Sequence, residues 1–198
     1  MANYILVHGG HRDGSIWTEL STLLKKRGHA VYCPSMRPIK NTSLEHNINE
    51  IIDLIHQHGL EDVILVGHSY GAMVVVGVVN TLPEHIAQII LIDSVLPQNG
   101  YSLYETLANN GYAYQKFGLE PDQACLDKLY FDTKKVFARP KTYVHCLQSE
   151  FLPVLSNIYE AIKTDPSWHS LCLDTTHACM LTQPAELSII LQGILVFS

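Results

Sequence analysis

The stretch from Val63 to Val79 constrains the fold more than any other part of this chain. Four apolar residues, Val63-Ile64-Leu65-Val66, run into Gly67-His68-Ser69-Tyr70-Gly71, and that turn opens the apolar run Ala72 to Val79. A short, unbroken apolar run closed by glycine reads as a strand buried on both faces. Tyr70 to Leu82 reads as a helix whose valines have poor intrinsic propensity, so tertiary packing must hold it. A strand buried on both faces belongs in a parallel sheet covered by helices.

The same alternation recurs along the chain. Tyr4 to Val7, Ala30 to Cys33, Ile86 to Ile92 and Thr142 to Cys146 read as further strands, and Leu171 and Leu173 flank a last one. Ile16 to Lys26 reads as a helix stopped by Gly28, with Leu20, Leu23 and Leu24 on one face. In Ser43 to His58, Ile48, Ile51, Ile52 and Ile55 recur at i, i+3, i+4 and i+7, and Gly59 ends the helix. Leu152 to Lys163 and Ala185 to Val196 complete the set. Between Pro97 and about Arg139 the pattern lapses into tyrosines, asparagines, glycine and proline. That segment reads as an insertion over the sheet. The chain has 198 residues, which suits one domain, and 47% hydrophobic residues, which suffice for a real core.

The formal net charge is −6. The chain lacks the basic field that nucleic-acid binding or an anionic membrane surface would require, so neither partner is expected. Lys134, Lys135, Arg139 and Lys141 form the one basic concentration and read as a solvated face. No apolar run approaches the roughly 20 residues of a membrane span, and no signal peptide is read at the N-terminus. Cys33, Cys125, Cys146, Cys172 and Cys179 are scattered and odd in number. Such cysteines read as reduced thiols, and the expected compartment is cytoplasmic.

Gly67-His68-Ser69-Tyr70-Gly71 is a G-x-S-x-G pattern in the strand–turn–helix context that makes a nucleophile elbow. The tight turn lifts the Ser69 hydroxyl above the sheet edge at a helix N-terminus, where a developing oxyanion is favoured. A serine needs a base, because its hydroxyl is barely ionised at neutral pH. Three histidines lie late in the chain. His145 falls inside a strand and reads as a core or face residue. His169 precedes the last strand. His177 follows that strand and precedes the closing helix, where the order Ser, acid, His places the base. His8 with His11, and His56 with His58, lack partners in a metal pattern, so no metal is expected. No nucleotide motif is present, and no cofactor is expected.

Val7-His8-Gly9-Gly10 with Trp17, the elbow, Asp93-Ser94-Val95-Leu96-Pro97, and His177 through Pro184-Ala185-Glu186-Leu187 occur in this order. In these motifs the chain resembles the α/β-hydrolase group of plant methylesterases, hydroxynitrile lyases and related bacterial esterases. The resemblance implies an α/β-hydrolase fold: a mostly parallel sheet, helices on both faces and a short cap insertion at about 97–139. It implies an oxyanion hole at the backbone N–H groups of Gly10 and Tyr70. It places a triad acid after the strand Lys141 to Cys146, but there this chain has Ser149, with Glu150 beside it. Asp93 and Glu150 are the candidate substitutes, and a dyad without an acid is the third option. The resemblance implies a serine esterase acting on a small ester through an acyl-enzyme. Lyase activity is disfavoured, because Gly9 and Ala178 replace the Thr and Lys that lyases of the group use. Ser149 motivates an alternative: a weak or inactive ligand-binding protein with this fold. An exposed apolar part of the insertion could pair two subunits as a homodimer.

Overall fold

A computed structural model describes residues 1–193. In chain order the elements are β1 (Asn3–Val7), α1 (Thr18–Lys26), β2 (Ala30–Tyr32), α2 (Leu44–His58), β3 (Val63–His68), α3 (Gly71–Thr81) and β4 (Ile86–Ile92). They continue with α4 (Leu103–Asn109), α5 (Gln123–Leu126), α6 (Thr133–Phe137), β5 (Lys141–Cys146), α7 (Leu152–Lys163), β6 (His169–Leu173), α8 (Cys179–Thr182) and α9 (Pro184–Gly193). Residues 194–196 of the expected closing helix lie outside the described residues.

The strands form one sheet in the order β2-β1-β3-β4-β5-β6. Every pairing is parallel. Side chains alternate between two cores, as the period of a strand requires. Ile5, Val7, Val63, Leu65, Ile89 and Leu91 pack with α2, α3 and α7. Tyr4, Leu6, Ile64, Val66, Ile90 and Ile92 pack with α1, α8 and α9.

Local signals set the boundaries. Ser43 caps α2 by accepting from the His46 N–H, and Gly59 ends it in the left-handed conformation at φ 56°. The first turn of the expected helix at Ile16 is a 3-10 turn, Gly14–Trp17, capped by the Asp13 side chain. In α3, Val74, Val75, Val76, Val78 and Val79 are all fully buried. Each valine costs a few tenths of a kcal/mol in helix propensity, whereas its burial contributes about 1.5 kcal/mol or more, so packing decides the conformation.

Residues 97–139 form α4, α5, α6, a 3-10 turn at Tyr114–Phe117 and an isolated bridge between Tyr101 and Leu129. From this segment, Tyr104, Leu107, Phe117 and Cys125 line one cavity with Gly9 and Ser69, which follow β1 and β3. After β1 the chain turns toward β2, and after β3 it turns the other way toward β4. Such a switch opens a crevice beyond the carboxyl ends of the strands, the usual place for a ligand in an open parallel sheet.

Candidate active site

Ser69 stands at that crevice. Its backbone N–H donates to the Ile92 carbonyl at 3.2 Å, so the sheet ladder continues one residue past β3. The chain then turns at φ 54° on Ser69, a left-handed conformation costing a non-glycine residue about 1–2 kcal/mol. Close packing enforces it. A Cβ on Gly71 would lie 2.6 Å from the Val7 carbonyl oxygen, and one on Gly67 would lie 2.8 Å from that of Gly71. Only glycine fits at either side of the elbow. Asp93 repeats the device on the next strand: its N–H donates to the Val144 carbonyl at 2.8 Å, and its φ is 43°.

His177 reaches the same place from the loop after β6. That loop is tied down by a Gln148 N–H to Thr175 carbonyl bond of 2.9 Å and a Thr175–Thr182 hydroxyl pair at 2.6 Å. The His177 ring lies 4.7 Å from Phe151 and 4.4 Å from His68, and its side chain is 14% exposed. Its Nδ1 is 2.7 Å from Asp93 Oδ2. Of the two candidate carboxylates, the structure brings Asp93 to the ring. Glu150 Oε2 instead accepts the backbone N–H of His177 at 3.3 Å. Glu150 stands where the following residues turn into α7, which points its carboxylate at the loop rather than the imidazole.

Asp93 is buried, and burial by itself would raise its carboxyl. Contacts with His145, His177 and Ser149, together with the charge of His177, outweigh burial and hold it well below the usual carboxylate range. Oδ1 accepts the Cys146 backbone N–H at 3.0 Å, which fixes the plane of the carboxylate. Asp93 is therefore a fixed anion behind the imidazole.

Gly10 and Tyr70 flank Ser69. A Cβ on Gly10 would lie 3.9 Å from the Tyr70 Cβ, and one on Gly9 would lie 3.0 Å from the Ser69 Cβ. Among the described residues, neither the Gly10 nor the Tyr70 backbone N–H donates to a protein acceptor. His8 shapes this loop. Its Nδ1–H donates to the Gly9 carbonyl at 2.8 Å, and its Nε2 accepts the Met36 N–H at 3.0 Å. Burial lowers the pKa of His8, consistent with a neutral ring in that tautomer. Ser69, His177, Asp93, Gly10, Tyr70 and Glu150 all line one cavity of about 570 Å³ beneath the cap. Its far wall is apolar, built from residues such as Leu107, Phe117 and Leu155.

Two buried histidines here carry roles that sequence reasoning missed. His68 donates from Nε2 to the His177 carbonyl at 2.9 Å, holding the loop that carries that ring. Burial, reinforced by the neighbouring His177, drops its pKa to about 3, so it stays neutral. His145 projects from β5 toward Asp93. No signal in the sequence marked it: only the structure shows that β5 turns Tyr143 and His145 toward the end of β4, where the Tyr143 hydroxyl donates to the carbonyl of Ser94, next to Asp93. His169 starts β6 and is exposed, apart from the cavity.

A parallel sheet, a serine at a strand–turn–helix elbow and an imidazole–carboxylate pair in the same cavity define the α/β-hydrolase class. The profile of the alpha/beta hydrolase family matches residues 4–187, and the chain belongs to that family. It is 36% identical over 115 residues to the carbendazim hydrolyzing esterase of Nocardioides sp. (strain SG-4G), covering 54% of this chain and 48% of that protein. It is 28% identical over 110 residues to polyneuridine aldehyde esterase of Rauvolfia serpentina, covering 51% and 42%. The chain thus matches about half the length of these relatives. The crystal structure of a polyneuridine aldehyde esterase superposes with a TM-score of 0.79 at 18% identity, covering 98% of this chain and 99% of that one. An extracellular α/β-hydrolase from a Paenibacillus species superposes at 0.78 and 20%, covering 98% and 99%. At these identities the structures establish the fold.

Proposed function

We propose that the protein is a serine esterase that cleaves small carboxylic esters through an acyl-enzyme. Ser69 attacks the ester carbonyl while His177 takes its proton. The Gly10 and Tyr70 N–H groups receive the oxyanion, a pair of donors worth a few kcal/mol in the transition state. His177 then gives the proton to the departing alcohol, and water, deprotonated by His177, releases the acid and restores Ser69. Asp93 is the triad acid. It orients His177 and stabilises the imidazolium, a role worth about 10⁴ in rate in the serine-protease template.

The observation that carries this reading is the 2.7 Å contact between Asp93 Oδ2 and His177 Nδ1, in the cavity that Ser69 also lines. It supplies the charge that Ser149 cannot, and Ser149 was the reason to consider a protein without turnover. Relatives named as esterases support the substrate class. The apolar wall of the cavity favours an uncharged acyl or alcohol group. The test is release of p-nitrophenol from short-chain p-nitrophenyl esters. Ser69→Ala is expected to lower kcat by about 10⁶, the scale for loss of such a nucleophile. Turnover equal in the wild type and Ser69→Ala contradicts the reading.

A further inference from the structure

We propose that His145 is a positioning residue for His177, acting through Asp93, which bonds the His177 imidazole at one carboxylate oxygen and faces the His145 imidazole at the other. The inference rests on reading Asp93 as the acid. His177 Nδ1 meets Oδ2 at 2.7 Å, and His145 Nδ1 lies 3.4 Å from Oδ1. His145 is 2% exposed, so this contact is shielded from water. The geometry is long and poorly aligned for a hydrogen bond, which leaves its effect on Asp93 chiefly electrostatic. A lone pair on Nδ1 would be repelled by the carboxylate, so the proton resides on Nδ1.

The His145 ring is buried and stacked in place. It stacks on Tyr159 of α7 at 4.7 Å between centroids and 20° between planes. Asp93 is thus gripped from one side by the Cys146 N–H and faced by His145, both from β5. This β5 contribution matters because the acid stands on β4, and Ser149 occupies the place after β5. His145 lets β5 still position the carboxylate. The other groups that face Asp93 and His177 are His68 from β3, Tyr143 from β5, and Ser149 and Glu150 from the next loop, with Arg12 at the cavity mouth.

His145→Phe keeps the stack and removes the N–H. His145→Asn keeps an N–H near the Nδ1 position. His145→Phe is expected to lower kcat for p-nitrophenyl esters by at least about tenfold, within the roughly hundredfold that a 1 Å misplacement brings, with KM nearly unchanged. The acid limb of its pH profile moves to higher pH, because Asp93 then directs more of its charge at His177. His145→Asn recovers most of kcat. Tyr159→Leu, which frees the ring, gives the same signs at smaller size and decides the matter if His145→Phe does not fold. Unchanged kcat and pH profile in His145→Phe, or equal loss in the Asn and Phe variants, overturns the proposal. The imidazole proton on His177 Nδ1, read by NMR without substrate, gives a second test. It is expected to shift in His145→Phe, and an unmoved resonance overturns the role. Ser69-independent turnover by the wild type would instead overturn the esterase reading and leave this NMR test standing.

Discussion

At the sheet rim, Ser69 and Asp93 hold left-handed backbone angles that only their surroundings enforce. In the cap, the positive angles belong to Gly100, Gly111 and Gly118, which bear them without strain. The two regions are also secured differently. The rim is fastened by backbone bonds that extend the sheet, from Ser69 to Ile92 and from Asp93 to Val144. The cap is tied to the body by side chains. Asp127 accepts the Leu44 N–H at 2.9 Å, and Asp122 pairs with His11 at 2.9 Å. Backbone ladders tolerate substitution and hold atoms to fractions of an ångström, whereas side-chain ties change with one residue. The rim is therefore suited to chemistry and the cap to choosing what reaches it.

The sharpest way to break this contrast is Gly71→Ala. The new Cβ would meet the backbone oxygens of Val7 and His8 at 2.6 and 2.9 Å, and neither can move without shifting β1. A loss of about 3 kcal/mol is expected in urea denaturation, at the upper end of overpacking costs. A stability loss within 0.5 kcal/mol, about the range of ordinary surface changes, would show that the elbow is looser than its contacts imply.

His68 gives a pH test of the rim. Its native pKa is about 3 against an ordinary 6.5, so the unfolded chain binds a proton that the native one refuses. The stability this contributes is complete above pH 6.5 and is lost as pH falls toward 3. The slope rises toward about 1.4 kcal/mol per pH unit below pH 6, so roughly 1.5 kcal/mol disappears between pH 6.5 and 5. His68→Asn is expected to flatten this part of the stability curve. Equal acid slopes in both proteins would assign the loss elsewhere.

The smallest effect belongs to the cap. Ser102 accepts the Glu105 N–H at 3.1 Å, and Glu105 returns the bond to the Ser102 N–H at 2.9 Å. This capping box starts α4, which carries Tyr104 and Leu107 into the cavity. Ser102→Ala is expected to cost about 1 kcal/mol of stability. It should raise KM several-fold while kcat holds. A fall in kcat with KM unchanged would tie the cap to the chemistry and erase the contrast.

The rim was more legible in the sequence than the cap for the same physical reason. Strands buried on both faces and glycine-bounded turns leave strong local signals, so the six strands along the chain and the elbow at Ser69 can be read directly, whereas the order of the strands in the sheet cannot. The helices of the cap are four to seven residues long, too short for a period to register. The acid could be narrowed to Asp93 and Glu150 and no further. Both stand beside the rim, and only the direction of each side chain separates them. His145 hid in plain view, because a histidine in an apolar strand looks like core until its facing residue on the next strand is known.

Labelling with a fluorophosphonate, located by peptide mass, tests the central claim most directly. A single adduct on Ser69 is expected in the wild type and none in Ser69→Ala. The labelling rate should fall by about 10⁴ in Asp93→Asn, the scale for a lost triad acid, and by less than about tenfold in Glu150→Gln. An adduct on another residue, or a larger loss in Glu150→Gln than in Asp93→Asn, would contradict the account.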